Sequence, residues 1–192
     1  MAVLETILLG KFYPTSEGHV HALRGISLSL EEGETLAVVG PEGAGKTTLL
    51  NLLAGLDRQT RGAIYVKGTD LGNLPRWRLN EVRGQQIGFV TSRPHLLPER
   101  TVLENVAWPL RYLPKAQRKG GRERALRLLS RVGLAGLAGA RPQELTIEEQ
   151  QRAAIARAFA SGPVLVLADE PAAHLDPETG REIMLLLREM AG

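Results

Sequence analysis

Residues 35–56 read TLAVVGPEGAGKTTLLNLLAGL, an apolar run, a glycine-rich turn and a leucine-rich segment in immediate succession. The run TLAVVG shows no polar alternation, the pattern of a strand covered on both faces. Leu49, Leu50, Leu52 and Leu53 then supply one face of a helix expected from Lys46 through Leu56. Between them GPEGAGKT, residues 40–47, matches the phosphate-loop pattern G-x-x-x-x-G-K-[ST]. Phosphate chemistry needs these residue types. Glycines let backbone N–H groups turn toward phosphate oxygens, Lys46 brings a cation to the terminal phosphates, Thr47 offers a hydroxyl to Mg²⁺, and the helix start adds its dipole. Four specified positions coincide by chance on the order of once in 10⁴ to 10⁵ windows. A glycine-rich turn with an incidental lysine would not also be framed by a strand and a helix. Gly40, Pro41, Glu42, Gly43, Ala44, Gly45, Lys46, Thr47 and Thr48 are therefore the candidate phosphate site.

A second apolar run, PVLVLADEP at residues 163–171, ends in two acids. A strand there delivers Asp169 to a sheet edge as a Mg²⁺ partner, and Glu170 beside it can orient or deprotonate an attacking water. Solvated acids at a strand end are common, but the phosphate loop upstream favours the catalytic reading.

Working outward, residues 2–9 and 25–30 read as short strands, RGAIYVKGTDL at 61–71 as a hairpin-like segment, and QIGFV at 86–90 as another strand. Prolines at 94, 98, 109 and 114 then punctuate short helical pieces, and Ala125, Leu128, Leu129 and Val132 share a helical face. The expected organisation is one domain over residues 1–192. Residues 1–90 and 161–192 form its nucleotide-binding core, and 91–160 form an inserted helical subdomain. An amphipathic helix from about 177 to 190 closes the chain.

Composition narrows the function classes. The 192 residues are 43% hydrophobic and 23% charged, with net charge +3 and no cysteine, which removes disulfides, thiolate metal sites and cysteine nucleophiles. No apolar run approaches the ~18 residues of a membrane span. The start, MAVLETILLGKFY, carries neither a basic leader nor a cleavage site and reads as mature cytosolic sequence. Charge is uneven: Arg111, Lys115, Arg118, Lys119, Arg122, Arg124, Arg127 and Arg131 stand against Glu123 alone in residues 111–131. That run is either a solvated helix face or a surface sensitive to anionic lipid.

With these residues in hand, the chain resembles the ATP-binding subunit of an ABC transporter, nearest the bacterial lipoprotein-releasing and macrolide-export subfamily. The resemblance runs through HALRGISLSLEEGETLAVVGPEGAGKTTLLNLLAGL, LLPERTVLENVAWPL and EEQQRAAIARAFASGPVLVLADEPAAHLD. It implies a P-loop NTPase fold of the α/β class, with a mostly parallel central sheet, an N-terminal antiparallel β subdomain and the inserted helical subdomain. It further implies ATP and Mg²⁺ as ligands, Glu170 as catalytic base, and Tyr13 as the aromatic that stacks on adenine. A half-buried structural tyrosine is the plain alternative for Tyr13. Leu145, Thr146, Ile147, Glu148, Glu149 and Gln150 would be the signature that meets ATP held by a second cassette, and His174, Leu175 and Asp176 the dimer loop. The implied partners are an integral-membrane permease and a like or unlike cassette, with no nucleic acid. The implied location is the inner face of the cell membrane.

Departures from the family pattern cluster at functional positions. Glu42 replaces a small polar residue, Thr91-Ser92 stands where an aromatic and a glutamine are usual, Thr146-Ile147-Glu148 replaces Ser-Gly-Gly, and Ala172 replaces Thr or Ser. The family's switch histidine lies about thirty residues beyond the dimer loop; the last histidine in these 192 residues is His174, so the switch either lies past Gly192 or is lacking. Ser92 at the glutamine position is too short to reach both metal and water. Ile147 and Glu148 would add bulk and a negative charge at the signature tip; a carboxylate ~4 Å from a phosphate charge costs up to ~4 kcal/mol at an effective dielectric of 20, which would weaken closure about a thousandfold, and Glu42 adds like charge beside the same nucleotide. Two expectations follow: a hydrolysing transporter ATPase, or a degenerate, weakly hydrolytic cassette serving as a regulatory or dimerising partner. A chromosome-maintenance ATPase would carry long heptad arrays, which are absent. A small-molecule kinase would not carry EEQQRAAIARAFA.

Overall fold

The computed structural model describes residues 2–16 and 18–192. Two compact units divide the chain, residues 1–83 and 84–192.

In the first unit, β1 (Leu4–Thr15) pairs antiparallel with β2 (Gly18–Leu30), from Leu4 opposite Leu30 to Thr15 opposite Gly18. These strands run well beyond the expected short segments, because the polar residues at their far ends still find ladder partners. On its other edge β1 pairs with β3 (Arg61–Val66), and β4 (Thr69–Asp70) returns from β3 as the expected hairpin. Strand order is β2-β1-β3-β4. Where β1 bulges, Gly62 adopts φ 78, and a Cβ there would stand 2.3 Å from the Ile7 carbonyl oxygen. Only glycine fits that crossing. Leu4, Leu9, Ile64 and Val66 form the buried face of this sheet, and α1 (Lys46–Leu53) buries Leu49, Leu52 and Leu53.

One expectation fails in this unit. Residues 35–40 form no strand, and Val39 is 91% exposed. An apolar run becomes a strand only when its edge groups find partners, and TLAVVG pairs with none of the described strands. The parallel sheet is correspondingly small, and the antiparallel sheet holds most of the strands.

A helix that periodicity did not signal, α2 (Arg76–Gln86), buries only Leu79 and Val82 and is otherwise polar. The second unit then holds a parallel pair, β5 (Ile87–Thr91) and β6 (Leu165–Asp169), in register from Ile87 opposite Leu165 to Thr91 opposite Asp169. Between them come α3 (Val102–Ala107), α4 (Lys115–Arg118), α5 (Gly121–Arg131) and α6 (Ile147–Phe159), and α7 (Pro177–Ala191) follows. Val90, Val102, Val106, Leu129, Ile155 and Ile183 meet in one buried cluster. Asn105 is fully buried yet satisfied: it accepts from the Leu97 N–H and donates to the carbonyls of Leu97, Arg100 and Thr101. That side chain shapes the turn ahead of α3. Among the described residues no helix is long and apolar enough to cross a membrane.

Candidate functional site

In the first unit the glycine-rich turn enters α1 through two left-handed residues, Gly43 at φ 76 and Gly45 at φ 90. A Cβ on Gly45 would lie 2.5 Å from the Ala22 carbonyl oxygen, so glycine is obligatory there. The N-termini of α3, α6 and α7 are capped by Thr101, Thr146 and Asp176, whereas α1 starts at Gly45 with no side-chain cap, as do α4 and α5; what sets α1 apart is the glycine-rich turn and lysine at its start. Its first N–H groups are thus left for an anion, at the positive end of the helix dipole. The Lys46 ammonium donates to the carbonyls of Gly40 and Pro41 at 3.0 Å each, which holds it over the turn. Pro41, Glu42, Gly43, Ala44 and Thr47 are exposed; Gly45, Lys46 and Thr48 are half-buried.

Tyr13 lies in the same unit, 40% exposed near the end of β1. Its hydroxyl donates to Asp57 Oδ2 at 2.8 Å, and the Lys11 ammonium lies 4.7 Å from its ring centroid. Lys11 also donates to Asp57 Oδ1 and to the Arg58 carbonyl, each at 2.8 Å. Burial by itself would raise the Asp57 carboxyl. The bonds from Lys11, Tyr13 and the Arg58 N–H outweigh it and hold the carboxyl below its usual value. Tyr13 moves the other way, raised by burial and then by its bond to Asp57, against a smaller opposing bond with Thr48. It therefore stays a neutral donor.

In the second unit, Thr91 stands opposite Asp169 at the carboxyl edge of the parallel pair. Ser92 and Glu170 are the next residues, so both leave the sheet at the same edge. Glu170 is a non-glycine residue at φ 47, a conformation that costs an L-residue about 1–2 kcal/mol. Strain of this kind gathers at functional positions, and Glu170 is exposed. The loop behind Ser92 is tied to α6. Gln151 Nε2 donates to the Thr91 carbonyl at 2.9 Å, and the Arg157 guanidinium donates to the carbonyls of Pro94 and His95. Burial holds Arg157 below its usual value. His174 is exposed and Leu175 half-buried, whereas Asp176 caps α7 by accepting from the N–H groups of Glu178 and Thr179. A bond with the Thr179 side chain, followed by those N–H bonds, keeps its carboxyl below the usual value.

The segment before α6 corrects one sequence expectation. Thr146 is the N-cap of α6, accepting from the Glu149 N–H while Glu149 accepts from the Thr146 N–H, a complete capping box. Gln150 Nε2 donates to the Leu145 carbonyl at 3.1 Å, and Leu145 is buried. Glu148 is not the isolated carboxylate assumed above. Its Oε1 accepts from Arg152 Nε at 2.7 Å, and Arg152 also binds Glu182 at 2.8 Å. A carboxylate bonded four residues along the helix lies on its flank rather than across its N-terminal end. Ile147, 59% exposed, is the bulk that remains at the tip.

Magnesium is tested by donor chemistry. Among the described residues no group of three or more His, Cys, Asp or Glu side chains could hold a metal ion. Thr47 in the first unit offers a hydroxyl and Asp169 in the second a carboxylate, each a hard oxygen donor of the kind Mg²⁺ takes when it keeps several waters and substrate phosphates as its other ligands, so the chemistry of each residue fits the ion. Sequence reasoning missed Lys11, Asp57, Arg152 and Arg157. Glu148 and Arg152 at i,i+4 were a readable signal; Asp57 had none.

A family model described as ABC transporter matches residues 23–173. An uncharacterized ABC transporter ATP-binding protein of Thermotoga maritima is 44% identical over 98% of this chain and 80% of its own length. The lipoprotein-releasing system ATP-binding protein LolD of Alcanivorax borkumensis is 41% identical, over 98% of this chain and 82% of its own. The macrolide export ATP-binding/permease protein MacB of Burkholderia pseudomallei is 40% identical over 98% of this chain, which spans 29% of that larger protein. Among solved structures, the dimeric post-hydrolysis cassette MJ0796 bound to ADP and Pi superposes with a TM-score of 0.85. It is 36% identical over 98% of this chain and 82% of its own.

Proposed function

The chain belongs to the ABC transporter family, and from that premise we propose that it binds MgATP, closes on it as a dimer and couples hydrolysis to a membrane permease. The observation that carries the reading is the uncapped start of α1 behind Gly43 and Gly45, with Lys46 folded over the turn. Backbone N–H groups from Gly43 to Thr48 receive the phosphates, and Lys46 neutralises the terminal ones. Thr47 and Asp169 are the residues that would hold Mg²⁺, which would supply neutralisation of phosphate charge. Glu170 accepts a proton from water as its oxygen attacks the γ-phosphorus, the bond to the bridging oxygen breaks, and ADP and phosphate leave. Tyr13 stacks on adenine. Leu145 to Gln150 meet ATP held by a second cassette, and His174 to Asp176 line the dimer contact.

The relatives support a working ATPase, MJ0796 having been captured after hydrolysis. The degenerate alternative gains no support from them, and the pairing of Glu148 with Arg152 removes much of its physical basis. We read residues 1–192 as one domain with 91–160 as its helical subdomain, peripheral to the inner face of the membrane through its permease.

Calorimetry with MgATP tests the reading. Lys46→Ala should weaken binding roughly 10- to 100-fold, the loss of a charged hydrogen-bonding partner. Unchanged affinity would refute the phosphate site.

A further inference from the structure

We propose that Lys11 and Asp57 are positioning residues for the adenine end of the nucleotide, holding the Tyr13 ring in one orientation with Lys11 against one face. The inference rests on Tyr13 being the adenine platform.

An exposed tyrosine ordinarily turns among rotamers, and fixing it on binding lowers affinity. Tyr13 is held beforehand at its hydroxyl and on one ring face. Its hydroxyl is bonded to Asp57 Oδ2 at 2.8 Å, and one ring face is occupied by the Lys11 ammonium, 4.7 Å from the centroid. The Lys11 side chain is itself 11% exposed and held by both Asp57 and the Arg58 carbonyl, so the cation is not free to swing out. Asp57 Oδ1 also accepts from the Arg58 N–H at 2.7 Å, which orients the carboxylate from behind. A purine therefore meets a ring whose tilt is set and which already carries Lys11 against one face. The cation draws on the ring's electron density from that closed side, an attraction that adds to the hold on the ring.

The anchor also ties the two ends of the ligand together. Asp57 follows closely on α1 (Lys46–Leu53), and the N–H groups of Leu56 and Asp57 both donate to the Asn51 carbonyl within that helix. Phosphates at the start of α1 and adenine on Tyr13 are thereby referenced to the same short helix. The Lys11–Asp57–Tyr13 set is a ruler between base and phosphate, selective for nucleotides that carry a stacking base.

Calorimetry on the full chain, with MgATP and with magnesium tripolyphosphate as a base-free probe, tests this. Asp57→Ala and Lys11→Met should each weaken ATP roughly two- to tenfold, the factor for one side chain left to be ordered on binding, and leave tripolyphosphate unchanged. Asp57→Asn, which keeps an acceptor for the hydroxyl, should lose less. Tyr13→Ala should weaken ATP at least as much as Asp57→Ala, and the double variant no further. If Tyr13→Ala weakens ATP while Asp57→Ala and Lys11→Met do not, the positioning role is wrong and the platform stands. If Tyr13→Ala changes nothing, the platform itself is wrong. Equal losses for ATP and tripolyphosphate would mark Asp57 as a structural residue and overturn the inference.

Discussion

Glu148 shows how one neighbour changes the meaning of a residue. Read alone, it sets a negative charge where a phosphate must approach; bonded to Arg152, it is drawn along the flank of α6. Arg152→Met should free that carboxylate and lower steady-state ATP hydrolysis about tenfold or more, part of the repulsion an unpaired charge exerts at short range. Adding Glu148→Gly to Arg152→Met should restore most of the rate. Failure of the second change to rescue the first would mean that Arg152 acts by another route. Asp57 makes a pH prediction of definite sign. Its carboxyl is lowered in the folded chain, so its contribution is complete above the ordinary carboxylate value and is lost as pH falls through the lowered one. The part of ATP affinity that depends on Tyr13 should therefore be flat through neutral pH and fall only in acid, as titration calorimetry would record. Loss beginning near neutrality would point to a different group.

At the scale of elements, α6 keeps the start its chemistry needs despite unfamiliar residues. Thr146 and Glu149 close the capping box that presents its first turn. Thr146→Ala should cost about 1 kcal/mol of stability in denaturant unfolding, whereas Thr146→Ser should cost little. The local elements were legible because their signals are local: glycines and a lysine at fixed offsets in the phosphate loop, an apolar run before Asp169, a helical stripe in α5. Partnership over distance was not legible. Tyr13 and Asp57 are separated by 44 residues, and Gln151 reaches the Thr91 carbonyl across 60. TLAVVG marks the same limit, since apolar composition reports a tendency to be covered without naming the strand that pairs with it. Polar α2 escaped notice because it buries too little to impose a period.

Across the whole molecule, candidate residues are divided between two units, the phosphate loop and Tyr13 in the first, the β5–β6 edge and the signature segment in the second. In the proposed function Glu170 is the residue at which binding and chemistry separate. The measurement that bears most directly on the account compares ATP hydrolysis and ATP-dependent dimer formation in the unaltered chain and in Glu170→Gln. The account predicts hydrolysis by the unaltered chain, a rate lower by about 10²- to 10⁴-fold in the variant, as loss of a general base entails, and an accumulated ATP-bound dimer. Equal rates in the two proteins, or no dimer in either with ATP present, would contradict it.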